Sequence, residues 1–280
     1  EVYSNNSVLA SSVSDNAVYN VSDWLLDIDD IEHAVSKLKT GKACGMDNIM
    51  PEHVIYAHPS LITHLRKLFN LMMIHGYVPN KFGSGVVIPL IKDKHGDASK
   101  LDNYRGITLS SVLSKIFELC MLDKFKEFLF SHELQFGFKT GVGCSDAVFV
   151  VQNVIEYFTK RNSTVFLASV DASKAFDRIV HVQLFDKLLE RKVPLCFIKC
   201  IENWYSKLYA VVRWDGCISQ SFKLYSGVRQ GGILSPILFN VYVNDLIVHL
   251  QSSEMGCHVG RRFFGCVMYA DDLIILASSV

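Results

Sequence analysis

Two adjacent acids, Asp271 and Asp272, stand between two apolar runs, Cys266-Val267-Met268 before them and Leu273-Ile274-Ile275-Leu276 after. Such runs are too short for helices. Phe264 to Met268 and Leu273 to Ala277 read as the arms of a β-hairpin, with Tyr269-Ala270-Asp271-Asp272 as its turn. Asp is common in turns for reasons of its own. Here the flanks are apolar enough to carry both acids to the edge of a core, where neighbouring carboxylates repel and a divalent cation relieves the conflict.

A second acid has a similar setting. Val165 to Val170 is a β-branched and aromatic run that delivers Asp171 at its C-terminal end, within Val170-Asp171-Ala172-Ser173-Lys174-Ala175-Phe176-Asp177. Mg²⁺ takes carboxylate, carbonyl, water and phosphate oxygens. A two-metal phosphoryl-transfer site therefore needs two or three acids converging from rigid strands. Asp171 with Asp271 and Asp272 meets that need.

The remaining chain reads as one continuous α+β unit. Residues 1–20 are polar and rich in Ser and Asn, and are expected to form a disordered or linker lead-in, with structure starting near Val21. Ile31, Val35 and Leu38 recur at helical spacing behind Asp29 and Asp30, with Gly41 as a stop. A second helix carries Leu61, Leu65, Leu68, Phe69 and Met72 and ends at Gly76 and Pro79; a buried strand follows at Val86 to Ile91. Helices are expected over 110–130, 145–160, 182–191, 195–208 and 236–250, and short strands at Ala210 to Trp214 and Ser221 to Leu224. The expected product is an antiparallel sheet backed by helices.

Composition narrows the class. The apolar stretches Ile233 to Leu250 and Phe263 to Ala277 contain Asn and Asp, so neither reads as a membrane span. No basic segment followed by an apolar run opens the chain, so no secretory signal is expected. The eight cysteines include no Cys-x-x-Cys pair, which suits a reduced, intracellular setting. Cys196 and Cys200 fit two small half-buried helix residues better than a metal pair. A formal net charge of zero is unexpected for a nucleic-acid enzyme and implies that any basic surface is local or lies elsewhere in a longer protein.

Five blocks then stand in one order: Lys39-Thr40-Gly41-Lys42-Ala43-Cys44-Gly45-Met46-Asp47; Ile88-Pro89-Leu90-Ile91-Lys92 leading to Asn103-Tyr104-Arg105-Gly106-Ile107; the Asp171 block; Gly227-Val228-Arg229-Gln230-Gly231-Gly232-Ile233-Leu234-Ser235-Pro236; and Tyr269-Ala270-Asp271-Asp272. Over roughly residues 28 to 280 the chain resembles the reverse transcriptases of non-LTR (LINE-type) retrotransposons, with group II intron enzymes as relatives. That resemblance implies a right-hand polymerase: an N-terminal extension and fingers over 21–163, and an incomplete palm over 164–280. The sequence stops just after the catalytic hairpin, so a thumb is expected to be absent, and this polypeptide alone is expected to extend a primer poorly.

The resemblance also implies roles. Asp171 and Asp271 would be direct ligands of two Mg²⁺ ions, for which Mn²⁺ could substitute, with the carbonyl of Ala172 contributing and Asp272 in support. Phe176 falls where the family places a ring that excludes a ribose 2′-hydroxyl; as a residue alone it fits a core position equally. Gln230 and Gly231 would pack against the incoming nucleotide, the glycine allowing close backbone approach. Lys92 and Arg105 would clamp the triphosphate, the alternative being solvated surface cations. Gly106 stands where the family usually has Pro, which is expected to loosen the local backbone. Gly41, Lys42, Gly45 and Asp47 would touch template. Tyr104 and Phe138 could stack on bases, or belong to the core. Lys174 and Asp177 read as structural.

The implied partners are an RNA template, a DNA primer or nicked target DNA, and dNTPs, with no membrane; thumb and endonuclease regions would belong to the parent polyprotein. Action in the nucleus follows from the resemblance only. Two other readings stay open. An RNA-dependent RNA polymerase would share the palm acids, but it typically selects ribose with a polar residue near Asp177. A non-catalytic remnant or binding module would share the fold.

Overall fold

The computed structural model describes residues 21–278; the expected lead-in over residues 1–20 lies outside the described residues. After a 3₁₀ turn at Val21–Trp24 come α1 (Ile28–Ser36), α2 (Pro51–Ile55), α3 (Ser60–His75), α4 (Asn80–Gly83), β1 (Ser84–Ile91), β2 (Tyr104–Ser110), α5 (Val112–Phe125) and α6 (Cys144–Thr159). The second half holds β3 (Val165–Asp171), α7 (His181–Glu190), α8 (Leu195–Tyr205), β4 (Tyr209–Trp214), β5 (Cys217–Ile218), β6 (Phe222–Lys223), α9 (Ser235–Ser252), β7 (His258–Val259), β8 (Arg262–Phe263), β9 (Cys266–Tyr269) and β10 (Asp272–Ser278).

Local chemistry sets the boundaries. Asp27 accepts from the Asp30 N–H while the Asp30 carboxylate accepts from the Asp27 N–H, a reciprocal cap that opens α1. That helix ends at Ser36, before the expected stop at Gly41. Gly76 closes α3 in the left-handed region at φ 57°, its N–H donating to the Met72 carbonyl. The helix expected over 110–130 is shorter, Val112–Phe125, with Ser111 as its N-cap.

The strands divide between two main sheets rather than one. β1 pairs antiparallel with β2 and parallel with β4, and β4 also pairs with β5 and β6. The strands expected at Ala210–Trp214 and Ser221–Leu224 thus form, but they join β1 rather than the hairpin sheet. The second sheet has the order β3-β10-β9, all antiparallel. The expected picture of an antiparallel sheet backed by helices describes this one. Its alternate side chains reach two cores: Cys266, Met268 and Leu273 pack with Ile247 of α9, while Val267 and Leu276 pack with Ala147, Val151 and Val154 of α6. Both faces of the hairpin are covered, which explains why its arms are apolar throughout. β3 sits at the sheet's edge, with Phe166, Leu167 and Val170 each about half exposed.

The largest core lies among the helices. Phe117, fully buried, has its ring centroid 5.1 Å from Phe69, 6.3 Å from Phe82 and 5.9 Å from Trp204, joining α5 to α3, α4 and α8. Offset and edge-on aromatic contacts of this kind add to the burial itself. Phe117→Ala is therefore expected to lower unfolding free energy by about 3–5 kcal/mol in urea titration. A loss below about 1 kcal/mol would show that this four-ring junction does not hold the helices together.

Candidate active site

Asp171 ends β3 and Asp272 begins β10, and the register sets them directly opposite each other. Opposed residues of an antiparallel pair point to the same face, so the two carboxylates are neighbours. Asp271 stands one residue earlier, in the turn, and lines a cleft of about 380 Å³. None of the three has an ion-pair partner among the described residues. The turn consists of Ala270 and Asp271 between the paired Tyr269 and Asp272, with a positive φ of 56° at Ala270 only. That is the pattern of a hairpin turn whose first central residue is left-handed, where glycine is usual and alanine is strained.

The donor set is all oxygen, which suits Mg²⁺ or Mn²⁺ and argues against softer metals. No group of three or more His, Cys, Asp or Glu side chains among the described residues closes into a ready cluster. Mg²⁺ characteristically keeps waters and binds through one or two carboxylates plus substrate phosphates, so opposed acids beside an open cleft match its habits better than a closed cage would. Ala172 follows Asp171 immediately beyond the strand end.

The cleft is also lined by cations. Lys92, Arg105 and Lys174 all line it, together with Asp102, Tyr104, Phe138, Phe176, Gln230, Gly231 and Asp271. Lys92 follows β1, and its Nζ donates to the Asp102 carbonyl at 3.0 Å. Lys174 reaches the Asp102 carboxylate at 3.3 Å, spanning from the β3 side to the β1–β2 hairpin. This pair is well exposed and contributes little stability. Arg105 has no ion-pair partner among the described residues. The loosening expected at Gly106 is not found. β2 runs through it in regular register opposite Pro89, and a Cβ there would stand 2.9 Å from Val87 Cγ1.

The Gly227–Pro236 loop is stitched to everything around it. Gly227 N–H donates to Ile179 O at 2.8 Å, and Val228 N–H to Phe176 O at 2.9 Å. Thr108 N–H on β2 donates to Gln230 O at 2.7 Å. Gly231 has φ 109°, and a Cβ there would stand 2.7 Å from Thr108 O, so both conformation and space demand glycine. Phe176 both lines the cleft and stacks flat on Phe239 of α9 at 4.6 Å. Phe138, with φ 60°, meets Phe176 edge-on at 5.7 Å. Gln230 Nε2 lies 3.4 Å from Asp177 Oδ1, a long contact.

The residues assigned to template do not line this cleft. Gly41 N–H donates to the Glu52 carboxylate. A Cβ on Gly45 would press on Ser110 and Ser111 at 3.0 Å. Asp47 accepts from Ile49 N–H at 3.2 Å, an Asx-type turn. Gly45 and Asp47 thus have local structural work, whereas Lys42 is exposed.

Sequence reasoning missed the supports of the site. Glu118 on α5 and Arg229 in the loop form an ion pair at 3.2 Å, their side chains only 4% and 6% exposed. Glu118 also accepts from Leu234 N–H at 3.0 Å and from Ile233 N–H, the donors where α9 begins. Arg229 donates on to Phe82 O at 3.0 Å and lies over the Trp204 ring at 5.1 Å. A lone Glu between Phe117 and Leu119 in an apolar helix was the available signal, because an isolated buried charge demands a partner. Gln135, likewise unnoticed, is buried against the Ala270 turn.

Comparison with known proteins places the chain in a family. The profile of the family described as Reverse transcriptase (RNA-dependent DNA polymerase) matches residues 91–280. The chain is similar to the Retrovirus-related Pol polyprotein from type-2 retrotransposable element R2DM of Drosophila melanogaster, 29% identical over 246 residues that cover 87% of this chain and 22% of that one. It is also similar to the RNA-directed DNA polymerase from mobile element jockey of Drosophila funebris, 26% identical over 259 residues covering 90% and 27%. The chain therefore spans about a quarter of the length of these relatives. A solved structure of apo telomerase from Candida Tropicalis, truncated from its C-terminal domain, aligns with TM-score 0.49 at 14% identity, covering 79% of this chain and 49% of that one.

Two outcomes follow from the supports. Glu118→Ala leaves the Arg229 guanidinium buried and unpaired, and should cost about 3–5 kcal/mol on denaturant titration, whereas Glu118→Leu with Arg229→Met should cost much less. A double variant as unstable as the single one would deny the charge partnership. His181 Nε2–H donates to Gly227 O at 2.8 Å. Burial pulls the ring's pKa below the usual histidine value, opposed in part by that hydrogen bond. The folded ring stays neutral while the unfolded chain takes a proton as pH falls through about 6.5, so stability should drop below that pH. His181→Gln should flatten this part of the profile between pH 7.5 and 5.5; an unchanged slope would exclude His181 as its source.

Proposed function

This chain belongs to the reverse transcriptase (RNA-dependent DNA polymerase) family, and from that premise we propose that it carries the nucleotidyl-transfer site of an RNA-directed DNA polymerase of a non-LTR retrotransposon. The similarity to retrotransposon enzymes over about nine-tenths of the chain supports the element class. The observation that carries the reading is the polarity of one cleft. Asp271 stands in its wall, with Asp171 and Asp272 beside it on the sheet, and Lys92 and Arg105 stand among its other lining residues.

In this reading Asp171, Asp271 and the Ala172 carbonyl hold two Mg²⁺ ions, with Asp272 in support. When bound, the metals neutralise phosphate charge and lower the barrier to in-line displacement at phosphorus. The chain's own residues position the reactants. Lys92 and Arg105, at the far end of the β1–β2 pair, would draw the triphosphate in by charge. Phe176 lies under the sugar. Its stacking on Phe239 and its edge contact with Phe138 leave the ring little freedom to yield to a 2′-hydroxyl. Gln230 and Gly231 offer a backbone surface held by Thr108 for the nucleotide to lie against. Gly41, Lys42, Gly45 and Asp47 form a separate loop assigned to template. The substrates are dNTPs, an RNA template, and a DNA primer or nicked target DNA.

The test is extension of a DNA primer annealed to RNA, in Mg²⁺, by this chain and by its Asp271→Asn variant. Extension that needs Mg²⁺ and dNTPs and falls to background in the variant supports the reading. Phe176→Ala should then raise ribonucleotide use relative to deoxyribonucleotide use by roughly ten- to hundredfold. Preferential use of NTPs by the unaltered chain would sink the proposal in favour of an RNA polymerase.

A further inference from the structure

The turn that carries Asp271 is held by one side chain from outside the hairpin. Gln135 lies in the segment between α5 and α6 and is 1% exposed. Its Oε1 accepts from the Ala270 N–H at 3.0 Å, and its Nε2 donates to the Ala270 carbonyl at 3.1 Å. The same Oε1 accepts from the Gly137 N–H at 2.8 Å. Only one orientation of the amide satisfies all three contacts, because the opposite one would set NH₂ against two N–H groups.

The chain around Gln135 is fixed just as firmly. Phe136 N–H donates to Met268 O at 2.7 Å, and Met268 N–H donates to Leu134 O at 2.8 Å, so the segment runs beside β9 as a short parallel bridge. Asn240 on α9, 2% exposed, donates to Gly137 O at 2.9 Å. A Cβ on Gly137 would stand 2.2 Å from Ala270 N, so this backbone is wedged against the turn.

We propose that Gln135 is a positioning residue that aims Asp271 by gripping both peptide planes flanking Ala270. This rests on the reading of Asp271 as a metal-binding acid. Each peptide unit is rigid, so the Ala270 carbonyl and the Asp271 N–H lie in one plane, and the Ala270 N–H and Tyr269 carbonyl in another. Holding one atom of each plane sets φ and ψ of Ala270, and with them the direction in which Asp271 leaves the turn. The need is real because alanine at φ 56° is disfavoured and returns to negative φ when nothing opposes it. Gln135 supplies that opposition, and three backbone groups, the Ala270 N–H and carbonyl and the Gly137 N–H, would lose this partner without it.

The test compares the chain with its Gln135→Met, Ala270→Gly, doubly substituted and Asp271→Asn forms. Met keeps length and apolar volume but makes none of the three hydrogen bonds. Mn²⁺ affinity is read by electron paramagnetic resonance, and amide exchange over 269–273 by mass spectrometry. Gln135→Met should speed exchange in this turn at least tenfold and weaken Mn²⁺ binding by about tenfold. In the Ala270→Gly background, where positive φ carries no penalty, the same substitution should weaken it less than threefold. A role in general stability alone predicts equal losses in both backgrounds, and that result overturns the proposal. So does unchanged exchange in Gln135→Met. If the unaltered chain binds Mn²⁺ no better than Asp271→Asn does, the metal reading of Asp271 has failed and the aiming role of Gln135 fails with it; accelerated exchange would then mark Gln135 as a clamp on the turn alone.

Discussion

A single buried carboxylate sets where the two halves of the site stand relative to each other. Glu118 leaves α5 into a region with almost no water, where an uncompensated charge is untenable. Its compensation comes from three directions at once: the Arg229 guanidinium, and the N–H groups of Ile233 and Leu234 at the start of α9. Both N–H groups lie just before Ser235, the first residue of α9, where the helix dipole favours a negative charge. Because both carboxylate oxygens are engaged, the arrangement tolerates little displacement. A shift of α9 along α5 would separate the acid from the N–H groups that lead into the helix. The loop just before α9 inherits that rigidity, so Gln230 and Gly231 arrive at a defined height against β2.

The site is assembled largely by backbone meeting backbone. Loop 227–236 touches the turn after β3 through Ile179 and Phe176 carbonyls and touches β2 through Thr108, while segment 134–137 touches β9 through Met268. Each contact is a direct hydrogen bond between main chains, and glycine stands where the backbones come closest, at Gly227, Gly231 and Gly137. Such junctions keep their spacing when surrounding side chains vary. They also leave the cleft itself free for the side chains that face a ligand: Lys92, Arg105, Phe176 and Asp271.

Much of this was legible in the amino-acid sequence, and the parts that were not share a cause. The hairpin, the strand before Asp171 and the long helices follow from local period and from short-range signals such as the Asp27–Asp30 cap and Gly76. The acids stand out because they end apolar runs, whereas Lys92 and Arg105 follow from resemblance to the family and Lys174 reads as structural. Which sheet a strand joins is a long-range matter, and nothing within Tyr209–Trp214 tells that it lies parallel to β1 rather than beside β3. β2 was hidden for a similar reason: Tyr104-Arg105-Gly106 has neither clean alternation nor an apolar run, and its strand form comes from pairing with β1. Gln135 was invisible because a glutamine carries no charge to betray its burial. Its three partners lie in Ala270 and in its own neighbour Gly137, and only folding unites them.

The balance of charge raised at the outset resolves into a distribution. With a formal net charge of zero the molecule has no long-range pull on a polyanion. What the fold builds instead is one cleft lined by charges of both signs. Asp271 lines it from the hairpin, and Lys92, Arg105 and Lys174 line it together with Asp102 and Asp177, with Asp102 tying two of the three cations in place. A triphosphate satisfies the cations but repels the acids, and a bare divalent cation does the reverse. On the reading proposed above, only the two together would neutralise both sides, so the cleft would take a metal–triphosphate complex in preference to either component alone. Such a pairing would need no surplus basic charge, which is compatible with a formal net charge of zero.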